Sequence, residues 1–239
     1  MSRRPASSLF FAAFCVVAAG CDAPAATRRV DAAAYPGIVA SAARERSALA
    51  AEWRAARGPA DEAKILDRAS AALVRIVSER ILPAWDGTPW SLGGTASAPG
   101  RRPIACGYLV STALEHAGLR VERARLAQQA AEHIVTTLVP SDRIARFRRA
   151  SLGQFLASVI EAGDGVYLVG LDYHVGFLVV RGRQAFFHHA SRNAGAVVRE
   201  PAILSGALAR SNYRVVGKLF DRGLARAWLT DSSLPTRVN

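Results

Sequence analysis

The chain has 239 residues, of which 51% are hydrophobic and 21% are charged, a balance that is typical of a globular protein and excludes an intrinsically disordered one. Its formal net charge of +12 would suit an anionic partner, but the sequence contains no zinc-finger spacing, no RNA-binding aromatic motif and no glycine-rich phosphate loop. We therefore interpret the scattered arginines as a solvated basic surface and expect no nucleic-acid partner.

The first twenty residues have the three parts of a secretory signal peptide. Arg3 and Arg4 precede an apolar run at 9–17, which is too short for a membrane-spanning helix, and small residues follow. Ala18-Ala19-Gly20-Cys21 then resembles the lipobox of bacterial lipoproteins, in which the cysteine carries lipid and becomes the mature first residue. This resemblance implies that Cys21 is lipidated, with an ordinary signal peptide cleaved near the same place as the alternative.

Export decides how the three cysteines are interpreted. Cys15 would leave with the signal peptide and Cys21 would carry lipid, so Cys106 would remain as a single free thiol in an oxidising compartment. No internal disulfide is then expected. The protein would lie in the cell envelope, anchored to a bacterial membrane and facing the periplasm, and Asp22 resembles the inner-membrane retention signal of some Gram-negative lipoproteins.

The part of the chain that precedes the central cysteine is predicted to be a tether followed by helices. Residues 21–36 are rich in Ala, Pro and Thr, which is typical of a linker. Apolar residues then recur at helical spacing over 37–57 and 61–82, with 58–60 as the break. We predict a helical subdomain over 37–82, to which no chemistry can be assigned, and a catalytic domain over 83–239.

The rest of the chain is predicted to place helices before strands. A long Gly, Pro and Ser-rich segment at 83–103 contains Trp85 and Trp90, and connections of this length are uncommon unless they line a site. Helices before strands indicate an α+β fold with a mostly antiparallel sheet. The predicted helices after this segment are 103–118, 121–138, 144–149, 152–161 and 202–210, and the predicted strands are 166–171, 174–180, 184–189, 195–198 and 213–220.

Cys106 lies in the first turn of the helix predicted at 103–118. Pro103 is tolerated at a helix start and Gly118 suits a helix end. A thiol at this position is close to unpaired backbone N–H groups and to the positive end of the helix dipole. We therefore expect a lowered pKa for Cys106 and a nucleophilic thiolate.

A catalytic thiol needs a base that removes its proton and a polar group that orients that base. His174 opens an apolar strand, and Gly176 two residues later would leave room for a substrate or another backbone. Side chains alternate along the strand at 184–189, so His188 and His189 point to opposite faces and one of them should face the cleft.

These residues resemble the NlpC-type papain-like cysteine peptidases of bacterial cell walls. The resemblance is carried by Cys106 at a helix start, by Asp172-Tyr173-His174-Val175-Gly176-Phe177, and by Phe187-His188-His189-Ala190-Ser191 a hairpin later. Gly87-Thr88-Pro89-Trp90-Ser91-Leu92-Gly93-Gly94 is similar to the family's Gly-x-Pro-Tyr element, which is followed by paired glycines. The similarity covers about 83–198.

The resemblance implies a papain-like domain in which Cys106 is the nucleophile, His174 the general base and His189 the third residue, because Ala190 and Ser191 follow His189 as in the family motif. His188 is the fallback for the third residue. Trp90, which replaces the family's tyrosine, is the candidate for oxyanion or substrate contact.

Two further features bear on these roles. Asp172 is a weaker candidate for orienting His174. The family also has Asp before the cysteine and Ser after it, where this chain has Ala105 and Gly107, so the substrate pocket is expected to differ.

The function that these features imply is cleavage of amide bonds in peptidoglycan stem peptides by a membrane-anchored cysteine hydrolase. Two alternatives stay open: another papain-like amide or thioester hydrolase or acyltransferase, and a catalytically silent wall-binding lipoprotein. No cofactor is expected. No metal site is expected either, because His188 and His189 point apart and no carboxylate or thiol cluster accompanies them.

Overall fold

The structure is a computed structural model that describes residues 32–234. The predicted signal peptide, Cys15, the predicted lipidation site Cys21 and most of the predicted tether lie outside the described residues. Within 32–234, no helix is both long enough and apolar enough to cross a membrane.

The helices begin and end where the local sequence favours it. Pro36 and Pro59 lie in the first turns of the two long helices, where a missing N–H costs no hydrogen bond. Ser151 and Gln154 form a reciprocal capping box at the helix over 152–161. The described helices are α1 (Tyr35–Arg54), α2 (Pro59–Arg75), which continues as a π-helical segment (Ile76–Ile81), α3 (Leu82–Trp85), α4 (Cys106–His116), α5 (Arg123–Ala127), α6 (Ala131–Leu138), α7 (Leu152–Glu161), α8 (Gly206–Arg210) and α9 (Arg222–Leu229), with 3-10 turns at Ala32–Ala34, Ser141–Arg143 and Ala202–Leu204.

The strands of the described region form one sheet of six, in the order β1-β6-β2-β3-β4-β5. Every neighbouring pair in this sheet is antiparallel. The α+β class and the antiparallel sheet expected from the sequence are therefore confirmed. The strands are β1 (Ile144–Arg148), β2 (Gly165–Leu171), β3 (Val175–Arg181), β4 (Gln184–Ser191), β5 (Ala196–Pro201) and β6 (Tyr213–Lys218).

Four elements differ from the sequence-based expectation. The helix predicted at 202–210 is the 3-10 turn Ala202–Leu204 followed by α8. The helix predicted at 144–149 is strand β1, because β6 supplies the backbone partners from Gly217 to Tyr213 that a short charged segment could not provide for itself. The helix predicted at 121–138 is broken into α5 and α6. Helix α9 was not predicted at all.

Two hydrophobic clusters cover the two faces of the sheet. The first contains residues of α1, α2, α4, α6 and α9 together with Val175, Phe177 and Ala190 of the sheet. The second contains residues of α7 and α8 with Leu178 and Phe187. Because the helices over 37–82 contribute to the same cluster as α4 and the sheet, they do not form a separate core of their own.

Candidate active site

The first turn of α4 is held in place by the loop that contains Trp90. The backbone N–H of Ile104 donates to the carbonyl of Pro89 and that of Ala105 donates to the carbonyl of Gly94, each at 2.8 Å. A Cβ atom at Gly94 would lie 2.6 Å from the backbone nitrogen of Ile104, so only glycine allows this approach. The loop therefore fixes the two residues that lead into Cys106.

Cys106 is the first residue of α4, and its side chain is half-buried. The backbone N–H groups of Val175, Gly107 and Cys106 itself act on the sulfur and favour the thiolate. Burial outweighs these effects and raises the pKa of the Cys106 thiol. The expectation of a lowered pKa is therefore wrong in sign, although the helix N-terminus acts in the predicted direction.

Gly107 follows the thiol, where the similar family has serine. A Cβ atom at this position would lie 2.1 Å from the carbonyl oxygen of Ala127 at the end of α5. The glycine thus lets α5 pack directly against the first turn of α4. This contact explains why residue 107 is a glycine.

His174 and His189 are brought together at the end of the sheet where α4 begins. The Nε2 atom of His174 lies 2.7 Å from the Nδ1 atom of His189. Val175, which follows His174, is the residue whose N–H reaches the Cys106 sulfur. Among the described residues no hydrogen bond joins the thiol directly to the His174 ring, so the two groups share a location without a direct bond.

Glu200 on β5 extends this pair into a chain of three side chains, and the sequence analysis missed it. Its Oε1 atom lies 3.1 Å from the Nε2 atom of His189. A carboxylate oxygen only accepts, so His189 donates from Nε2 and its Nδ1 accepts from His174 Nε2–H. This assignment leaves the Nδ1 lone pair of His174 free to take a proton. The position of Glu200 opposite Phe187 depends on the β4–β5 register, which no local motif indicates.

The ring of Phe187 supports the histidine pair from one side. It stacks on His189 with centroids 4.5 Å apart and meets His174 edge-on at 6.1 Å. A Cβ atom at Gly176 would lie 2.7 Å from this ring. The carbonyl oxygen of His188 would lie 2.9 Å from the same Cβ. Of the two expectations for Gly176, close approach of another backbone is therefore confirmed, and the space is not left to a substrate.

His174 and His189 are both neutral at ordinary pH. Burial, with a smaller contribution from His189, lowers the pKa of His174 to about 3, against an opposing effect of Glu200. Burial alone lowers the pKa of His189 to about 4. The resting site therefore combines a neutral thiol with neutral imidazoles.

His188 lies on the other face of β4, opposite Phe177 of the first hydrophobic cluster. Neither of its ring nitrogens has a hydrogen-bond partner in the described part of the chain. Burial, then Arg199 and His189, lower the pKa of His188 to about 3. Of the two histidines considered for the third role, the structure thus brings His189 to His174 and leaves His188 apart.

The remaining two candidates have different surroundings. Trp90 is half-buried and lies under the guanidinium of Arg192. It forms an isolated β-bridge with Ile104, the residue two positions before Cys106. Asp172 accepts hydrogen bonds from the Ser211 hydroxyl and the Asn212 backbone, and those bonds, rather than one to His174, occupy its carboxylate.

Comparison of the chain with protein-family models, with curated proteins and with solved structures gave no match. The similarity to NlpC-type peptidases therefore depends on the residues named above. Within residues 32–234 there is no group of three or more His, Cys, Asp or Glu side chains that could hold a metal ion.

Proposed function

We propose that the protein is an exported, membrane-anchored cysteine hydrolase of papain-like type that cleaves amide bonds in peptidoglycan stem peptides. The observation that carries the proposal is the partly buried hydrogen-bonded chain from Glu200 through His189 to His174. The residue after His174, Val175, directs its backbone N–H to the free thiol of Cys106 at a helix N-terminus. A lone buried cysteine in a core has no need of such a chain.

The tautomers set by Glu200 define the first step. The Nδ1 lone pair of His174 takes the proton of the Cys106 thiol as the sulfur attacks the amide carbonyl. The transfer is concerted with attack, because the neutral pair is favoured at rest. His189 then accepts a stronger hydrogen bond from the imidazolium of His174, and Glu200 keeps His189 in the tautomer that accepts it.

The tetrahedral intermediate needs donors for its oxyanion. The backbone N–H groups at the start of α4 point out of the helix with no partner in the preceding turn, and the indole N–H of Trp90 is a second candidate donor. Collapse breaks the C–N bond, and His174 returns the proton to the leaving amine. Water, deprotonated by His174, then hydrolyses the thioester, which releases a carboxylic acid and restores the thiol.

A second candidate is hydrolysis or transfer of an acyl group from an apolar ester or thioester by the same residues. It is favoured by two large exposed apolar side chains, Leu92 in the loop that leads to α4 and Tyr173 next to His174. A stem peptide offers little for such side chains to contact. The chemistry at Cys106 and His174 would be the same in both candidates.

The test begins with the thiol because it needs no knowledge of the substrate. In the chain from Asp22 to Asn239, Cys106 is the only cysteine, so iodoacetamide labels one site. We expect labelling of the native protein that slows at least tenfold in His174→Ala, with His116→Ala as the matched control. A thiol that reacts only after unfolding would reject both enzyme candidates and favour a wall-binding role.

The substrate is tested next. Wild-type protein and the Cys106→Ser variant are incubated with purified peptidoglycan sacculi, and released stem peptides are measured by mass spectrometry. The proposal requires release by the wild type only. A reactive thiol with no release from sacculi, but with hydrolysis of acyl thioesters, would establish the second candidate.

A further inference from the structure

Two large apolar side chains are exposed near the thiol. Leu92 is 85% exposed in the loop that holds the start of α4, and Tyr173 is 99% exposed beside His174. Single exposed apolar residues are common on protein surfaces. These two lie on separate segments that both converge on Cys106, one through Ile104 and the other through Val175.

Three unpaired arginines lie at the same end of the molecule. Arg101, Arg102 and Arg192 are exposed, and none of them has an ion pair within residues 32–234. Many other arginines pair with a carboxylate, such as Arg46, Arg68, Arg80 and Arg143. Arg192 lies over the Trp90 ring at 6.0 Å.

The sheet topology places these residues at one end. Strand β3 begins and strand β4 ends at the edge where β5 begins, and the Trp90 N–H bonds the Gly195 carbonyl there at 2.8 Å. Residues 172–174, the turn at 192–195 and the loop at 90–103 therefore surround the start of α4. We call Leu92, Arg101, Arg102, Tyr173 and Arg192 the thiol face.

The amino-terminal end of the described chain reaches the same loop. A Cβ atom at Gly100 would lie 3.9 Å from the Cβ of Ala32, the first described residue. Ala32 follows Cys21, the predicted lipid site, by eleven residues, which span at most about 40 Å when fully extended. A lipid on Cys21 would thus keep the loop that contains Arg101 and Arg102 within about 40 Å of the bilayer.

We propose that the thiol face docks on the surface of an anionic phospholipid bilayer. The arginines contact the headgroups, while Leu92 and Tyr173 enter the interface between headgroups and acyl chains, where leucine and tyrosine side chains are favourable. A hydrated anionic polymer would account for the arginines but not for the two exposed apolar side chains. The inference goes beyond the proposed function and holds whether or not Cys106 is catalytic.

The proposal is tested with the chain from Asp22 to Asn239, which lacks Cys21 and therefore carries no lipid, so that only the protein surface can bind. Binding to vesicles of phosphatidylcholine with 30 to 40% phosphatidylglycerol, roughly the range in which anionic attraction is strong, is measured by co-sedimentation. We expect binding that is at least tenfold weaker to pure phosphatidylcholine. Arg101→Gln/Arg102→Gln should weaken binding about 30-fold and Leu92→Ser/Tyr173→Ser about tenfold.

Two double variants serve as matched controls. Arg54→Gln/Arg57→Gln removes the same charge from the far end of α1, a helix of 20 residues and hence about 30 Å long. Ile203→Ser/Leu204→Ser removes two exposed apolar side chains, 60% and 74% exposed, from the opposite end of the sheet. Both should bind within twofold of wild type.

Three results would overturn the proposal. The first is no binding to anionic vesicles. The second is equal weakening by both arginine pairs, which would show attraction by net charge alone. The third is unchanged vesicle binding in Leu92→Ser/Tyr173→Ser combined with loss of sacculus binding in Arg101→Gln/Arg102→Gln, which would assign the face to the wall polymer.

Discussion

His188 and His189 are neighbours on β4, and their exposed fractions are only 2% and 1%, yet their surroundings differ completely. His189 has a partner at each ring nitrogen, His174 on one side and Glu200 on the other. His188 lies against the first hydrophobic cluster with neither nitrogen bonded. Burial alone therefore does not identify a functional histidine; the partners of its two nitrogens do.

The largest effect that follows from this comparison is on catalysis. We expect His189→Ala to lower kcat/KM at least 100-fold, because His174 loses the acceptor that fixes its tautomer. His188→Leu should stay within threefold of wild type. Hydrolysis of whichever substrate the assays above turn over, measured at a temperature where both variants are fully folded, checks this. Equal losses in both variants would remove the distinction between the two faces of β4.

A smaller catalytic effect is expected at Glu200, which acts through His189 as a positioning residue. Glu200→Leu should lower kcat about 30-fold with KM unchanged, because nothing then holds the proton on His189 Nε2. Glu200→Gln keeps an acceptor oxygen and should recover most of this loss. Steady-state kinetics of the two variants measure kcat and KM. An equal loss of kcat in both would indicate that the negative charge of Glu200 matters rather than its acceptor oxygen.

The lowered pKa of His188 should make the free energy of unfolding depend on pH. The pKa of His188 falls from about 6.5 in the unfolded chain to about 3 in the fold, so the unfolded state binds a proton that the native state does not. Stability is therefore complete above pH 6.5 and is lost as the pH falls from 6.5 towards 3. His174 and His189 act in the same direction.

Asp86 acts in the opposite direction, because burial raises its pKa to about 6. Its contribution is common to wild type and His188→Leu, so it cancels when the two are compared. Between pH 6 and 4, we expect the free energy of unfolding of His188→Leu to fall less steeply than that of wild type by about 1 kcal/mol per pH unit. Urea titrations at each pH measure the slopes, and parallel slopes would contradict the lowered pKa of His188.

The smallest expected effect is on stability at neutral pH. Leucine at position 188 would fill the space beside Phe177 without two unpartnered ring nitrogens, and we expect a gain of about 1 kcal/mol in the free energy of unfolding. Chemical denaturation at pH 7 measures it. A loss of more than about 1 kcal/mol would mean that the His188 ring makes a bond essential to the fold.

Much of the fold was readable from local sequence. The helix over 152–161 has the predicted bounds, since its capping box and apolar face are local features. The hairpin of β3 and β4 followed from alternation around Arg181-Gly182-Arg183. Strand β1 was not readable, because a segment with four arginines in 143–149 becomes a strand only when β6 is beside it.

The candidate site divides in the same way. The helix start and the strand position were enough to name Cys106 and His174, because each depends on residues close by in the chain. Strand alternation left His188 and His189 open, and the resemblance to a family motif favoured His189. Glu200 and the direction of the Cys106 pKa depend on which atoms surround them. Burial of the thiol, the carbonyl of Ala127 against Gly107 and the Phe187 ring against Gly176 are contacts between distant segments, and only the packed tertiary structure decides them.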